Sequence, residues 1–541
     1  MKILGIPFAE TNYTSPLISD YLNQHSGLKP FYRALPDSKT LQEQAINKTK
    51  DFAPKHRNTL VTVLQQQYKD LKPYPAVLEN IALLEEPQTV TVTTGHQLNL
   101  MTGPLYFIYK IISTIKLAQQ LNAQWASIKV VPIYWMATED HDFEEINHFD
   151  FKAEKLTWSK PTSGPVGLLD LDGLAPLLKT LESTLGISKN ADEIRALIAE
   201  SYGKSNTLTA ATRLLVDHLF GSYGLVCLDA DNRELKTLFI PQMEEELNAQ
   251  TSFNCVSDQI LNIQKQYNAS YKPQVNPRAI NLFYLHKKGR LRIEKNPSGF
   301  SLADHPIHFE DTALLDLLHN HPERFSPNVL MRPLYQEVIL PNICYIGGGG
   351  ELAYWLQLSS YFESQKIAFP LLLLRNSALL MTDKQLKKSE ALDLKIADLF
   401  QKQKNLVEQK VREISQIDLD LAFLKTALEQ QFAQLEQLAQ QTDASFLGSV
   451  AAQRVKQFKG IDRLEKRLLK AQKRKLADHT QRIVDLQQQL FPQGQLQERV
   501  ANFFSFYLDY GASLIPMLLK AFEPLGTTFD VIRLTFDKKE K

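Results

Sequence analysis

Three short stretches of this chain bring together side chains that can do chemistry. Thr94-Gly95-His96-Gln97-Leu98-Asn99 sets an imidazole and two amides just behind a glycine, with Gly103 and Lys110 following. Thr138-Glu139-Asp140-His141-Asp142 groups carboxylates around a histidine and runs on through Glu144, Glu145, Asn147 and His148. Gly347-Gly348-Gly349-Gly350-Glu351 is a glycine run closed by an acid, and Arg375-Asn376-Ser377 adds a cation and an amide. A glycine turn carrying His96 and Gln97 suits the binding of hydroxyls, carboxylate or phosphate. The glycine run lets the backbone approach a ligand and aim its amides at an anion. It is neither GxGxxG nor a Walker loop, so it specifies no particular nucleotide. Read blandly, it is a strand-to-helix turn with no ligand. Asp140, His141 and Asp142 are read as general acid/base or amine-binding groups. If 141–148 were one helix, His141, Glu144, Glu145 and His148 would share a face suited to a metal. Acids in a first helical turn also simply offset the helix dipole, and no bound metal is expected.

These tips need a frame, and each follows an apolar, strand-like run. Thr89–Thr94 ends at Gly95, Lys129–Met136 precedes Thr138, and Gly224–Leu228 leads into Asp229-Ala230-Asp231-Asn232. Ile343–Ile346 precedes the glycines, and Phe369–Leu374 precedes Arg375. A helix from about Pro104 to Leu121 joins the first two runs, making a βαβ unit with parallel strands and a right-handed crossover. In open parallel sheets ligands bind at the carboxyl ends of the strands, where all five polar tips fall. The fold class is therefore α/β, a Rossmann-like parallel-sheet core. Residues 150–220 read as a helical insertion. Asn281–Leu285 and Arg290–Glu294, flanking Lys287-Lys288-Gly289, read as a hairpin.

The 26 prolines leave a gap from Leu371 to Phe491, which suits long uninterrupted helices. Leu421, Leu424, Leu428, Leu435 and Leu438 recur at three- and four-residue steps, and Leu469, Leu476, Ile483 and Leu490 at seven. Two helices with a break near Thr442–Gly448 predict a long antiparallel α-helical coiled-coil hairpin over 381–490. The expected organisation is a core over 1–380, interrupted at about 150–220 and 255–330, then the hairpin, then a segment 491–541 packing back on the core. Ile396, Leu399, Val407 and Ile414 are expected to be left exposed by the hairpin and to need a partner surface. Lys456, Lys459, Arg463, Lys466, Lys470 and Lys473 form a basic stripe, read as a solvated face rather than an RNA or phosphate site.

Bulk composition narrows the classes further. At 541 residues more than one structural unit is expected. Net charge is +1, so no global field draws the chain to nucleic acid or anionic lipid. The scattered Cys227, Cys255 and Cys344 exclude a disulfide framework and disfavour a thiolate zinc site. No signal peptide or membrane span is read, and the chain is expected in the cytoplasm.

The stretches VTTGHQLNLMTGPLYFIYKIISTIKLA, VVPIYWMATEDHDFEEINH, GLVCLDADNRELK, CYIGGGGELAYWLQL, FPLLLLRNSALL and LFPQGQLQERVANFF occur in this order over most of the chain. Together they resemble the bacillithiol-biosynthesis cysteine-adding (BshC) enzyme family. The resemblance implies a Rossmann core with connecting-peptide insertions, like class I aminoacyl-tRNA synthetases, and a coiled coil that mediates homodimerisation. It implies a ligase that joins cysteine to glucosaminyl-malate, with ATP, and magnesium with it, activating the cysteine carboxyl. Carried over by position, the pocket comprises Gly95, His96, Gln97, Asn99, Gly103, Lys110, Glu139, Asp140, His141, Asp142, Asn147, His148, Gly347 to Glu351, Arg375 and Asn376. Two positions depart from the family pattern: His96 replaces a glutamine, and the glycine run replaces Gly-Gly-Pro-Gly. Competing classes are another ATP-dependent amide-forming enzyme, a metal-dependent hydrolase on His141, Glu145 and His148, and a non-enzymatic coiled-coil or RNA-binding scaffold.

Overall fold

The computed structural model describes residues 2–152, 154–287 and 289–535. The chain divides into two compact units, Met1–Leu380 with Gln497–Lys541, and Met381–Leu496. The first unit is built on a parallel sheet of β1 (Thr89–His96), β2 (Lys129–Met136), β3 (Val226–Asp229), β4 (Asn342–Gly347) and β5 (Leu371–Leu374), in the order β5-β4-β1-β2-β3. Every residue of β1 is buried; Thr94 donates to the Ile346 carbonyl at 2.8 Å, whereas the Thr89 and Thr93 hydroxyls meet no partner among the described residues. Helix α1 (Leu105–Gln124) crosses from β1 to β2. Pro104 stands at its cap position rather than in its first turn. Ile108, Ile111, Ile112 and Ile115 of α1 are fully buried, each stabilising the unit by about 1.5–3 kcal/mol.

Strand register brings the functional tips level. His96 pairs with Met136, Met136 with Asp229, and Gly347 with Leu374. Chain order runs outward from β1 through β2 to β3, then resumes on the other side with β4 and β5. The reversal between β1 and β4 opens a crevice at the carboxyl ends.

The insertions differ from their sequence reading. The stretch expected to be helical over 150–220 opens with a β-hairpin, His148–Phe151 against Glu154–Thr157, before helices Ala175–Leu185, Lys189–Ser201 and Leu208–Phe220. Its alternating Phe149 and Phe151 bury one face, which is a strand pattern rather than a helical one. The expected hairpin, Leu282–His286 with Gly289–Asn296, sits inside a five-stranded antiparallel sheet; Lys288 of its turn lies outside the described residues. Residues from Gln497 onward return to the first unit, where Thr528–Leu534 pairs antiparallel with Lys2–Pro7.

Asp217 in Leu208–Phe220 is buried, with Oδ1 lacking a partner among the described residues. Burial, partly offset by Arg213, pushes its carboxyl pKa up to about 6. The folded chain therefore holds this proton more tightly than the unfolded one. The stability this confers is full below about pH 4, the unfolded carboxyl's pKa, and is lost as pH rises through 6. Asp217→Asn should raise the melting temperature at pH 7.5 and leave it unchanged at pH 4; an equal shift at both values would contradict this.

The second unit contains α2 (Gln403–Ile414), α3 (Ala422–Ala439), α4 (Ala444–Lys475) and α5 (Ala477–Leu490). Helices α3 and α4 form an antiparallel pair whose turn is tighter than the sequence implied: Asp443 caps α4, and Gly448 is already helical. The proline-free stretch does not form two unbroken helices. Asp418 and Asp420 accept the amides of Asp420 and Ala422 and break the first arm between α2 and α3. The seam is also displaced. Leu428, Phe432, Ala439 and Val450 pack together, whereas Leu424, Leu435 and Leu438 are exposed. Leu469, Ile483 and Leu490 are buried at their seven-residue spacing, with Leu476 packed beside Leu469. Leu399 is fully buried, and Val407 packs against Val411, Leu419 and Leu469, so these residues are covered within the unit. Of the basic stripe, Lys456, Lys459, Arg463, Lys466 and Lys470 are exposed, and Lys473 pairs with Glu408 at 3.0 Å.

Candidate active site

A cleft of about 600 Å³ opens at the carboxyl ends of the parallel strands. Gly95, His96, Gln97, Lys110, Glu139, Asp140, Gly348, Gly349, Gly350, Glu351 and Arg375 all reach its walls. The five strand tips thus meet on one surface: those of β1, β2, β4 and β5 through these residues, and that of β3 through Ala230 and Asp231.

The two sides of the cleft carry opposite charge. On the side of β4 and β5, Lys110 donates to the Gly95 carbonyl at 2.8 Å and pairs with Glu351 at 2.5 Å. Glu351 also accepts from the Gly348 amide at 2.8 Å and the Tyr345 hydroxyl at 2.6 Å. Burial disfavours that carboxylate, but Lys110 and these donors outweigh it and hold its pKa below the usual range. The expectation that every glycine amide faces an anion is corrected here. The Gly348 amide is taken by Glu351, which leaves those of Gly349 and Gly350, first in helix α6 (Gly349–Trp355), without an intrahelical acceptor. Arg375 is buried, giving Nη2 to Glu498 at 2.7 Å and Nη1 to the Asn376 carbonyl and Ser377; only Nε lacks a partner. Arg332 reaches the cleft between the rings of Trp135 and Tyr345, 5.7 and 5.6 Å from their centroids.

The opposite side gathers the carboxylates of Glu139, Asp140 and Asp231, with the cations of Arg290 and Lys236 set among them. Glu139 and Asp231 both pair with Lys236, at 2.7 and 2.5 Å, and this lysine is fully buried beneath them. Burial works against its charge, yet the two carboxylates outweigh it and raise its pKa. Burial likewise lifts Glu139 above the usual carboxylate range, with Lys236 pulling the other way. Asp140 accepts from Gln97 Nε2 at 2.7 Å and from the His141 amide at 2.8 Å. The same Gln97 nitrogen donates to Glu145 at 2.7 Å. Between the two sides His96 stacks on Phe107 at 4.7 Å, its Nε2 buried and unpartnered. Burial, with Lys110 and Arg375 nearby, drives its pKa well down, so this imidazole is neutral.

Other expected site residues lie elsewhere. His141 is exposed at the lip beside Arg290, outside the cleft lining; burial of its ring and Arg290 lower its pKa. Asp142 is exposed before the short helix Phe143–Ile146. Asn147 accepts the Trp158 amide through its carbonyl and contacts His148 through Oδ1. Asn376 is locked to Ser113 and the Glu523 carbonyl. Gly347 ends β4, where a Cβ would meet Leu352 at 2.9 Å. Asn99 and His148 line a separate, smaller cavity. The metal face imagined for 141–148 does not form, because His148 is in a strand. Among the described residues no three His, Cys, Asp or Glu side chains are grouped to hold an ion.

Gly103 lines neither cavity. Met101, Thr102 and Gly103 have φ of 49°, 68° and 60° in succession, held by Asn502, which donates to the Met101 and Gly103 carbonyls at 2.7 and 2.8 Å. A Cβ on Gly103 would stand 2.6 Å from that of Asn99. Gly103→Ala should therefore cost about 1–3 kcal/mol in denaturant unfolding of the first unit; an unchanged midpoint would contradict the strain.

Sequence reasoning missed Arg290, Arg332, Tyr106, Lys236 and Arg499. Arg290 and Arg332 come from the insertion and from helix Arg332–Ile339, where nothing local marks them. Arg499 lies inside the last resembling stretch but was not distinguished from its neighbours.

A parallel α/β sheet with a polar cleft at its switch point is a Rossmann-like architecture. Residues 1–376 match the family described as "Bacillithiol biosynthesis BshC, N-terminal Rossmann-like domain", and residues 378–534 its "C-terminal coiled-coil domain". A Flavobacterium johnsoniae protein named "Putative cysteine ligase BshC" is 49% identical over 529 residues, covering 98% of this chain and 99% of its own. Relatives of the same name from Christiangramia forsetii and Cytophaga hutchinsonii are 47% and 36% identical, covering 99% and 97% of this chain and 99% and 97% of their own. The chain belongs to the bacillithiol biosynthesis BshC family.

Proposed function

We propose that the protein is a ligase that joins the cysteine carboxyl to the amine of glucosaminyl-malate, forming the amide of bacillithiol. The observation that carries this reading is the two-signed cleft: an acid–amine coupling needs an anion site and an ammonium site facing each other. Glu139, Asp140 and Asp231 are placed for the amine, and Arg332, Arg375 Nε and the Gly349 and Gly350 amides for carboxylate or phosphate. The relatives named above carry the words cysteine ligase in their names.

ATP with magnesium fits the cationic side, where Arg332, Arg375 and the first-turn amides would hold its phosphates. Bound there, it would supply the activation that turns the cysteine carboxyl into an acyl donor. The chain's own residues do the rest. Asp140, oriented by Gln97, takes a proton from the ammonium and frees the nitrogen lone pair. The nitrogen attacks the activated carboxyl carbon; a C–N bond forms, the bond from carbon to the leaving oxygen breaks, the leaving group departs with the electron pair, and the second nitrogen proton passes to solvent, leaving the neutral amide. Lys110 and Glu351 fix the Gly95 turn and the glycine loop together, so the acyl and amine sites keep their spacing.

The second unit is proposed to join two copies of the chain. Phe423, Leu438, Phe446, Val455 and Leu464 are exposed large apolar residues on its helices, a pattern that needs cover. Light scattering at micromolar concentration should give a dimer, and Leu438→Glu with Phe446→Glu a monomer; a monomeric parent protein would contradict this. Among the described residues no helix is long and apolar enough to cross a membrane, which supports a place in the cytoplasm with small-molecule substrates.

Thiol profiling tests the function. A strain lacking this protein should accumulate glucosaminyl-malate and contain no bacillithiol; normal bacillithiol would overturn the reading.

A further inference from the structure

Beside the main cleft lies a second cavity of about 320 Å³, and the two share Gln97, Tyr106, Glu145 and Arg499 as walls. Asn99, His148 and Asp150 complete its polar lining. We propose that this side chamber is the subsite for the sugar and carboxylate portions of the amine substrate, leaving the main cleft to cysteine and its activating group. The proposal rests on the ligase reading and assigns the acceptor's place within it.

Size and chemistry both point to a polyhydroxylated acid. The volume lies at the low end of small-molecule sites, roughly 300–1,000 Å³. Asn99 is 8% exposed; its Nδ2 donates to the Glu145 carbonyl at 3.3 Å, and its Oδ1 is buried with no partner among the described residues. An unmet buried acceptor is unfavourable, and a ligand hydroxyl would relieve it. The missing Cβ of Gly103 leaves the space that the Asn99 side chain occupies. Glu145 and Asp150 add carboxylate acceptors for hydroxyls. Arg499 supplies the opposite chemistry: it is exposed, lies on the shared wall, and among the described residues makes no ion pair or hydrogen bond. A free guanidinium there suits the malate carboxylates. Glu145, on the same wall, is bonded to Gln97, which is also bonded to Asp140, so a sugar seated in the chamber directs its amine toward the proposed base.

Steady-state kinetics and calorimetry on the full-length protein test this. Arg499→Gln should raise KM for glucosaminyl-malate roughly tenfold or more, with KM for cysteine and kcat within about twofold. Asn99→Ala should do the same. A glucosaminyl substrate without malate carboxylates should lose its sensitivity to Arg499→Gln and keep its sensitivity to Asn99→Ala. Unchanged KM for glucosaminyl-malate in Arg499→Gln, with normal product, would overturn the subsite and leave the ligase reading standing. Titration of glucosaminyl-malate in the absence of cysteine separates the remaining case. Binding weakened by Arg499→Gln in a protein that forms no amide would support the subsite and refute the reaction; binding insensitive to this substitution would refute the subsite.

Discussion

Asp140→Asn should lower kcat for amide formation by roughly 10²–10⁴-fold and leave the fold intact. The substitution keeps the size of the side chain and an oxygen for the Gln97 amide, but an amide takes up no proton at neutral pH. The amine substrate arrives as an ammonium, so without Asp140 its lone pair is freed only by solvent. The residual rate of the variant should therefore climb with pH as free amine becomes more abundant. Rapid quench with mass spectrometry of the thiol product reads this directly, and wild-type turnover by Asp140→Asn would contradict the assignment. His141→Ala should have a much smaller effect, because His141 is exposed at the lip and touches Asp140 chiefly through its backbone amide.

Glu498→Ala should destabilise the Rossmann-like unit by about 3–5 kcal/mol. Arg375 and Glu498 are 6% and 1% exposed in their side chains and meet at 2.7 Å. The other Glu498 oxygen accepts the Ala378 amide at 3.0 Å. Truncation leaves a buried guanidinium without its counter-ion and a buried amide without an acceptor, both at the tip that enters the cleft. Urea unfolding followed by near-UV circular dichroism should show the loss, and a change below about 1 kcal/mol, the level of a surface pair, would contradict it. Glu498→Gln, which keeps an acceptor, should lose less.

The contrast between these residues shows what the sequence carried. Asp140 was legible because it follows an apolar run and belongs to a polar tip; the parallel-sheet rule then places such tips together without knowledge of side-chain contacts. Glu498 was not, because its role depends on a partner at Arg375, far away along the chain. Arg290, Arg332 and Arg499 were hidden for the same reason: they enter the cleft from an insertion, from the helix Arg332–Ile339 and from a returning segment, and only long-range packing decides which basic residues do so. Lys236, in the helix after β3, has nothing local to mark it; the acids of two strand tips close over it.

The helical unit failed differently. Absence of proline permits a helix but does not oblige one, and Asp418 and Asp420 offered local backbone partners that ended the first arm. Leucine spacing alone could not choose the seam, since Leu424, Leu435 and Leu438 share one face while Phe432 and Ala439 fall on the face that α4 covers. The metal reading of 141–148 assumed a single period throughout, and the chain changed from helix to strand at His148.

The central claim is that one cleft on one chain couples an amino-acid carboxyl to a sugar amine. Incubation of the purified protein with cysteine and glucosaminyl-malate, with ATP and magnesium present or omitted, tests it by mass spectrometry of the products. The amide-linked thiol should form when all components are present, and roughly 10²–10⁴-fold more slowly with Asp140→Asn. Recovery of both substrates unchanged, by a protein that binds them, would contradict it.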